Sequence, residues 1–303
     1  MNKMVQWVLN LTAGLFSFVF FLVLFFPFDS LITGFLGKVE TQSKGAWRVT
    51  VGEIDAGVIF KSVFKDFRIH QMSGGRDEVV ADFPEVKVGF RYLPLIAGQV
   101  SASFTAKGQK GRMDGKLKLS SDEFHLDAKM KGMQFSDIRY VANWLKLPLE
   151  GALDGAIGLA LYPGQPSKNS GDIDLKLKNL KISPARITPT AGFDLDLPET
   201  ILSDEKGGTV RVQMGEGKIE LKEVNFPGED LVLNLSGRIQ LGKKAEMSRL
   251  AINGKFSLSK KLQDAFPFVV MIEGQKGEDG SYPLTLSGRL NKPRVQIGTF
   301  DLL

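Results

Sequence analysis

Residues 231–241 read LVLNLSGRIQL, and this stretch decides the fold class. In an extended chain Leu231, Leu233, Leu235, Gly237, Ile239 and Leu241 share one face, and Val232, Asn234, Ser236, Arg238 and Gln240 share the other. The first set is dry and the second mostly polar, the signature of a strand whose sheet packs on one side and meets water on the other. The tetrapeptide Leu-Ser-Gly-Arg returns at residues 286–289, inside LTLSGRLNKPRVQI, residues 284–297. Gly237 and Gly288 therefore occupy equivalent places on the apolar side, and Gly254 in LAINGKFSL joins them.

A phosphate-cradling glycine sits between a strand and the start of a helix. Neither Leu-Ser-Gly-Arg is followed by a helical pattern, so these are strand glycines, which mark a bend, a bulge or a close approach. Two readings stay open: the glycines curve the sheet, or they leave room for an acyl chain or a partner on the apolar face.

The same alternation recurs in GRMDGKLKL (111–119), EFHLDAKMKGMQF (123–135), GDIDLKLKNLKI (171–182), TVRVQM (209–214) and GKIELKEV (217–224). With VTV at 49, FPEVKVGF at 83, QVSASFTA at 99 and LDGAIGLAL at 153, at least twelve strands are expected. SGGRD at 73, KGG at 206, PGED at 227 and GEDG at 277 supply the turns. Strands joined by short turns pair antiparallel with their sequence neighbours. The expected fold is mainly β: a long curved antiparallel sheet with an apolar groove, or a sandwich closed on its own apolar face.

Helical spacing interrupts this once. In SDIRYVANWLKLP, residues 136–148, Ile138, Val141, Ala142 and Leu145 fall at i, i+3, i+4 and i+7, with Ser136 placed to cap and Pro148 to stop the helix. A second short helix is expected from Ser259 to Phe266.

Residues 7–28, WVLNLTAGLFSFVFFLVLFFPF, carry no charge. As a helix they span about 33 Å, enough for a hydrocarbon core. The stretch ends in bulky residues with no small-residue cleavage site, so it reads as an uncleaved anchor built on Trp7, Phe16, Phe20, Phe21, Phe25 and Phe26. Lys3 and the α-amino group precede it and Asp29 follows, which favours a cytoplasmic N-terminus. The expected organisation is a cytoplasmic tail at 1–6, the anchor at 7–28, a juxtamembrane helix or linker at 29–46 and a β-domain at 47–303 outside the inner membrane.

The chain has no cysteine, which removes disulfides, thiolate metal sites and cysteine nucleophiles. His70 and His125 are far apart in sequence, and both are expected as solvated strand residues. Asp172, Asp174, Asp194 and Asp196 alternate along strands and read as solvated carboxylates. The net charge of +5 is spread singly among apolar residues, with no signature of nucleic-acid binding. No catalytic set, cofactor site or metal site is expected, and the chain reads as a non-enzyme. The candidate site is the apolar groove face itself: Leu233, Leu235, Gly237, Ile239, Gly254, Leu286, Gly288 and Leu290.

Four stretches carry a family resemblance: the anchor ending in FPFD (26–29), GAWRVTVGEIDAGVIFKSVFKDFRI (45–69), VVADFPEVKVGFRYLPLIAGQVSASFTAKGQKGRMDGKLKL (79–119) and the closing LTLSGRLNKPRVQI. Together they resemble the AsmA-like proteins of the Gram-negative envelope. The length and the FPFD junction most resemble the longer bacterial form of the type II secretion system protein N family. The resemblance implies an inner-membrane anchor, an elongated periplasmic sheet with an apolar concave side, and secretion subunits or phospholipid as partners. It supplies no site residues. Even sixteen strands at 4.8 Å spacing would extend only roughly 75 Å, which favours an accessory role over a bridge between membranes.

Overall fold

The computed structural model describes residues 40–301 apart from 42, 44, 57–60, 74, 92–98, 121, 188–194, 243–244 and 267–268. Strands β1 (Trp47–Thr50) and β2 (Glu53–Ala56) lie end to end along β3 (Lys61–Ser73), both antiparallel to it. The chain then meanders through β4 (Arg76–Arg91), β5 (Val100–Lys107), β6 (Arg112–Leu119), β7 (Phe124–Gln134), β8 (Leu149–Leu161) and β9 (Ser170–Ile182). Each is antiparallel to the strand before it.

After β9 the chain leaves the sheet as a small hairpin, β10 (Ala185–Ile187) with β11 (Leu195–Leu197), and returns through β12 (Thr200–Ile201) against the end of β9. Strand β13 (Gly208–Gly215) covers the rest of β9. The meander resumes with β14 (Lys218–Pro227), β15 (Leu231–Gln240), β16 (Arg249–Leu258), β17 (Tyr282–Arg289), β18 (Lys292–Ile297) and β19 (Phe300–Asp301). The result is one large antiparallel sheet in which each long strand bonds its sequence neighbours, as alternating segments with short turns require.

Among the described residues three short α-helices accompany it: α1 (Tyr140–Leu145), α2 (Lys260–Ala265) and α3 (Val269–Ile272). Helix α2 begins as the sequence predicts, with Ser259 accepting a hydrogen bond from the Leu262 N–H. Helix α1 differs. Arg139, not Ser136, stands at its N-cap, and no side chain caps it. Residues 137–139 are drawn into extended pairing with β4: Ile138 bridges Ala81, Arg139 N donates to Val80 O at 2.8 Å, and Asp82 N donates to Asp137 O at 3.0 Å. Asp137 is buried, its carboxylate accepting from the backbone of Gln109 and Gln134, so it serves that junction.

The main core gathers Phe64, Phe83, Met130, Met133, Leu153, Leu177 and Leu180 from the sheet with Leu197 of β11 and Leu262 of α2. A smaller cluster packs Val269 and Ile272 of α3 on Tyr282 and Ile297. The hairpin, α2 and α3 therefore cover the apolar side along one margin of the strands.

Candidate functional site: the apolar face of the sheet

The strand register assembles the apolar positions into lanes that run across the sheet. The central lane is Ile54–Phe64–Val86–Ala106–Met113–Met130–Gly155–Leu175 in the first half. It continues as Val210–Val224–Leu235–Gly254–Leu284–Ile297–Phe300 in the second. No polar side chain interrupts these fifteen positions. A second lane runs beside it from Val88 and Phe104 through Ile157, Ile173, Val212, Leu221, Gly237, Ile252 and Leu286 to Val295. A third contains Leu117, Leu126, Leu159, Met214, Ile219, Ile239 and Leu250 and ends at Gly288.

Burial grades across these lanes. Phe64, Val86, Ala106 and Met130 in the central lane are buried. From Leu117 to Leu250 the named third-lane residues are all only half-buried. The apolar face is thus covered along the margin that carries the helices and the hairpin and is partly open along the other.

The sequence-predicted residues fall on this face with one exception. Leu233 stands in a row with Phe226, Phe256 and Tyr282; Leu235 and Gly254 are central; Gly237 and Leu286 share the second lane; Ile239 and Gly288 share the third. Leu290 lies in the turn after β17, about half exposed, its N–H donating to Ser248 O at 2.8 Å. The alternation rule fails there because the strand has ended. The eight first-half members of the central lane, Ile54 to Leu175, belong to the same face and are not among the candidate residues named from the sequence. Their alternation was visible in each strand, but the register that joins them was not. The membrane-anchor residues Trp7, Phe16, Phe20, Phe21, Phe25 and Phe26 lie outside the described residues, as does Asp194. Among the described residues no helix is long and apolar enough to cross a membrane.

The glycines answer the question their repetition raised. A Cβ on Gly237 would lie 2.4 Å from Ala251 O and 2.6 Å from Ile252 Cα, and φ there is +146°. A Cβ on Gly254 would meet Asn234 O at 2.1 Å and Leu235 Cδ2 at 2.5 Å. The space a side chain would need is filled by the neighbouring strand, so these two glycines serve close interstrand approach and do not open room for a ligand.

The opposite face is a lattice of opposed charges: Lys65 with Glu53, Lys107 with Glu85, Arg211 with Glu223, Lys255 with Asp279. Lys222 and Lys218 flank Glu220 and hold its carboxyl down to about 2. Asp172 and Asp174 are exposed here, and Asp196 is exposed on the small hairpin, where it pairs with Arg186 at 3.1 Å. A shallow depression of about 600 Å³ on this polar face is lined by Lys222, Asn234, Ser236, Asn253 and Lys255.

His70 departs from the solvated-strand expectation. Its side chain is 13% exposed, its Nε2 shares a hydrogen bond with Thr50 Oγ1 at 3.0 Å, and its Nδ1 lies 3.0 Å from Asp77 Oδ1, which Arg48 also engages. These contacts fasten β1 to β3 and the β3–β4 turn. His125 remains partly exposed beside Glu123. Among the described residues no group of three or more His, Asp or Glu side chains is placed to hold a metal ion.

The class of molecule defined by this geometry is a mainly β protein built on one large antiparallel meander with a continuous apolar face. No protein-family profile, curated protein or solved structure matches the chain.

Proposed function

We propose that this chain is a non-enzymatic accessory component of the type II secretion apparatus, anchored in the inner membrane of a Gram-negative bacterium, which presents the apolar face of a periplasmic sheet to its partner. The observation that carries the reading is the uninterrupted apolar lane from Ile54 to Phe300. Stability of a sheet requires one apolar face, but it does not require the far margin of that face to stay half-exposed over β6 to β16. The uncharged stretch at 7–28 and the FPFD junction support the anchor and the link to secretion.

The test is deletion of the gene with measurement of exported type II substrates, paired with affinity capture of the full chain from solubilised membranes. Impaired export together with capture of secretion subunits is expected. Normal export in the deletion strain would remove this reading.

A second reading, an AsmA-like lipid-binding or lipid-transfer protein, is favoured by the half-exposed third lane, where Ile219, Ile239 and Leu250 offer an acyl chain a partly dry wall. A photoreactive residue at position 239 or 286 is expected to form lipid adducts in cells, and one at the outward position 238 is not. Equal or absent adducts at all three positions would sink it.

A further inference from the structure

Helix α1 is amphipathic in the inverted sense. Tyr140, Val141, Trp144 and Leu145, at i, i+1, i+4 and i+5, lie on one side of the helix and are all exposed, Trp144 at 74%. The inward positions are Ala142 and Asn143, whose Nδ2 donates to Val79 O at 3.1 Å. A helix that merely closed a sheet would turn its large apolar side chains inward. This one sets its polar and small residues on the sheet and leaves Val141, Trp144 and Leu145 exposed, with Tyr140 about half exposed at the first strand.

Where α1 sits identifies what covers it. Trp47, the first residue of the first strand, stacks on Tyr140 with ring centroids 6.2 Å apart. The uncharged apolar stretch ends at Phe28, so residues 29–46 join it to this edge. The exposed stripe therefore flanks the point where the chain enters the sheet from its apolar N-terminal segment. Its chemistry is that of an interfacial anchor: an indole and a phenol with apolar bodies and polar tips, two aliphatic neighbours, and the exposed cations Arg139 and Lys146 at the two ends.

We infer that α1 lies on the surface of the membrane that holds the anchor, with Tyr140, Val141, Trp144 and Leu145 at the level of the headgroups and upper acyl chains, and Arg139 and Lys146 on lipid phosphates. This rests on the single-span reading above. This second contact would hold the N-terminal edge of the sheet at the bilayer surface.

Because the chain has no cysteine, single cysteines report single positions. The full chain carrying Trp144→Cys, Phe20→Cys or Arg289→Cys is labelled with an environment-sensitive fluorophore. Each is then reconstituted into nanodiscs of phosphatidylethanolamine and phosphatidylglycerol and quenched with a shallow doxyl lipid or with aqueous iodide. The label at 144 is expected to be quenched by the doxyl lipid and to lose most of the iodide quenching seen at 289. Iodide quenching at 144 equal to that at 289, with the label at 20 still quenched by lipid, would overturn the inference and leave the anchor standing. A label at 20 that lipid does not quench would remove the anchor and the inference together. Shielding of position 144 from both quenchers would assign the stripe to a protein partner or a second copy, and would also overturn it.

Discussion

Asp230 shows how a single buried carboxylate holds three elements. It sits in the turn between β14 and β15 with its side chain 6% exposed, and accepts from Ile201 N at 2.8 Å, Ser259 Oγ at 3.1 Å and Lys261 Nζ at 2.6 Å. Burial alone would raise this carboxyl; the hydrogen bonds from Lys261, Ile201 and Ser259 outweigh it and hold the group below the usual range. Asp230→Ala orphans the Ile201 N–H and frees the start of α2, and is expected to cost about 2–3 kcal/mol in urea unfolding. A carboxyl depressed in the folded state stabilises above its unfolded value, near 4, and that contribution is lost as pH falls through the lower folded value. The variant should therefore lack part of the acid-side loss that the wild type shows. An unchanged acid slope would mean the contacts are not formed in solution. Tyr282 makes the alkaline counterpart: burial, then the hydrogen bond to Glu273, pushes its phenol up to about 12. The unfolded chain ionises near 10 and the folded one does not, so stability is expected to fall between those values. Tyr282→Phe, costing about 1 kcal/mol at neutral pH, should remove that fall.

At the scale of elements, the strands were legible in the sequence where the two-residue period runs unbroken, as in β15, and were misread where a bulge shifts its phase. GKIELKEV reads as one alternation with Leu221 and Val224 on opposite faces. In the structure the register slips between Leu221 and Val224, and both land on the apolar side. The same device places Met130 and Met133 together in β7. A bulge adds one residue that shifts the phase, and although Gly132 at φ +62° sits within the β7 bulge, the Lys222–Glu223 step in β14 carries no glycine, so periodicity could not reveal it there. Deleting Lys222 should therefore displace Val224 and Phe226 from the apolar face and prevent cooperative folding. Lys222→Ala, which removes only an exposed ion pair with Glu220, should stay within about 1 kcal/mol of wild type. Equal behaviour of the two variants by circular dichroism melting would show that the bulge does not set the face. For α1 the sequence placed a helix here but not its apolar side: of the expected stripe, Ile138 lies before the helix and bridges Ala81, Ala142 faces inward, and only Val141 and Leu145 share the exposed side, because helical spacing is silent on where the helix starts and what its faces meet. Asn143→Ala should cost about 1 kcal/mol through the lost bond to Val79 O, whereas Val141→Ser at the exposed stripe should cost less than about 0.5 kcal/mol.

At the scale of the whole molecule, composition and turn chemistry were enough to read a meander, but not the single lane that threads it, because register between strands is a property of pairs and not of any one segment. The same pairwise construction governs how the sheet should come apart. Among the described residues each strand from β5 to β8 pairs with the strands before and after it alone, and the smaller cluster around Tyr282 is carried by α3, β17 and β18 at the C-terminal end. Stability in such a ribbon is a sum of neighbour interfaces, as in repeat proteins, and opening can begin at either edge without disturbing the middle. Amide hydrogen exchange should then be slowest in β7, β8 and β9 and fastest in β2 and β19, the short edge strands. Tyr282→Ala, which empties the smaller cluster, should accelerate exchange in β16, β17 and β18 while β4 to β7 keep their wild-type rates. Uniform acceleration across all these strands would show that the sheet unfolds as one cooperative unit, and that the apolar lane couples its ends more tightly than nearest-neighbour pairing allows.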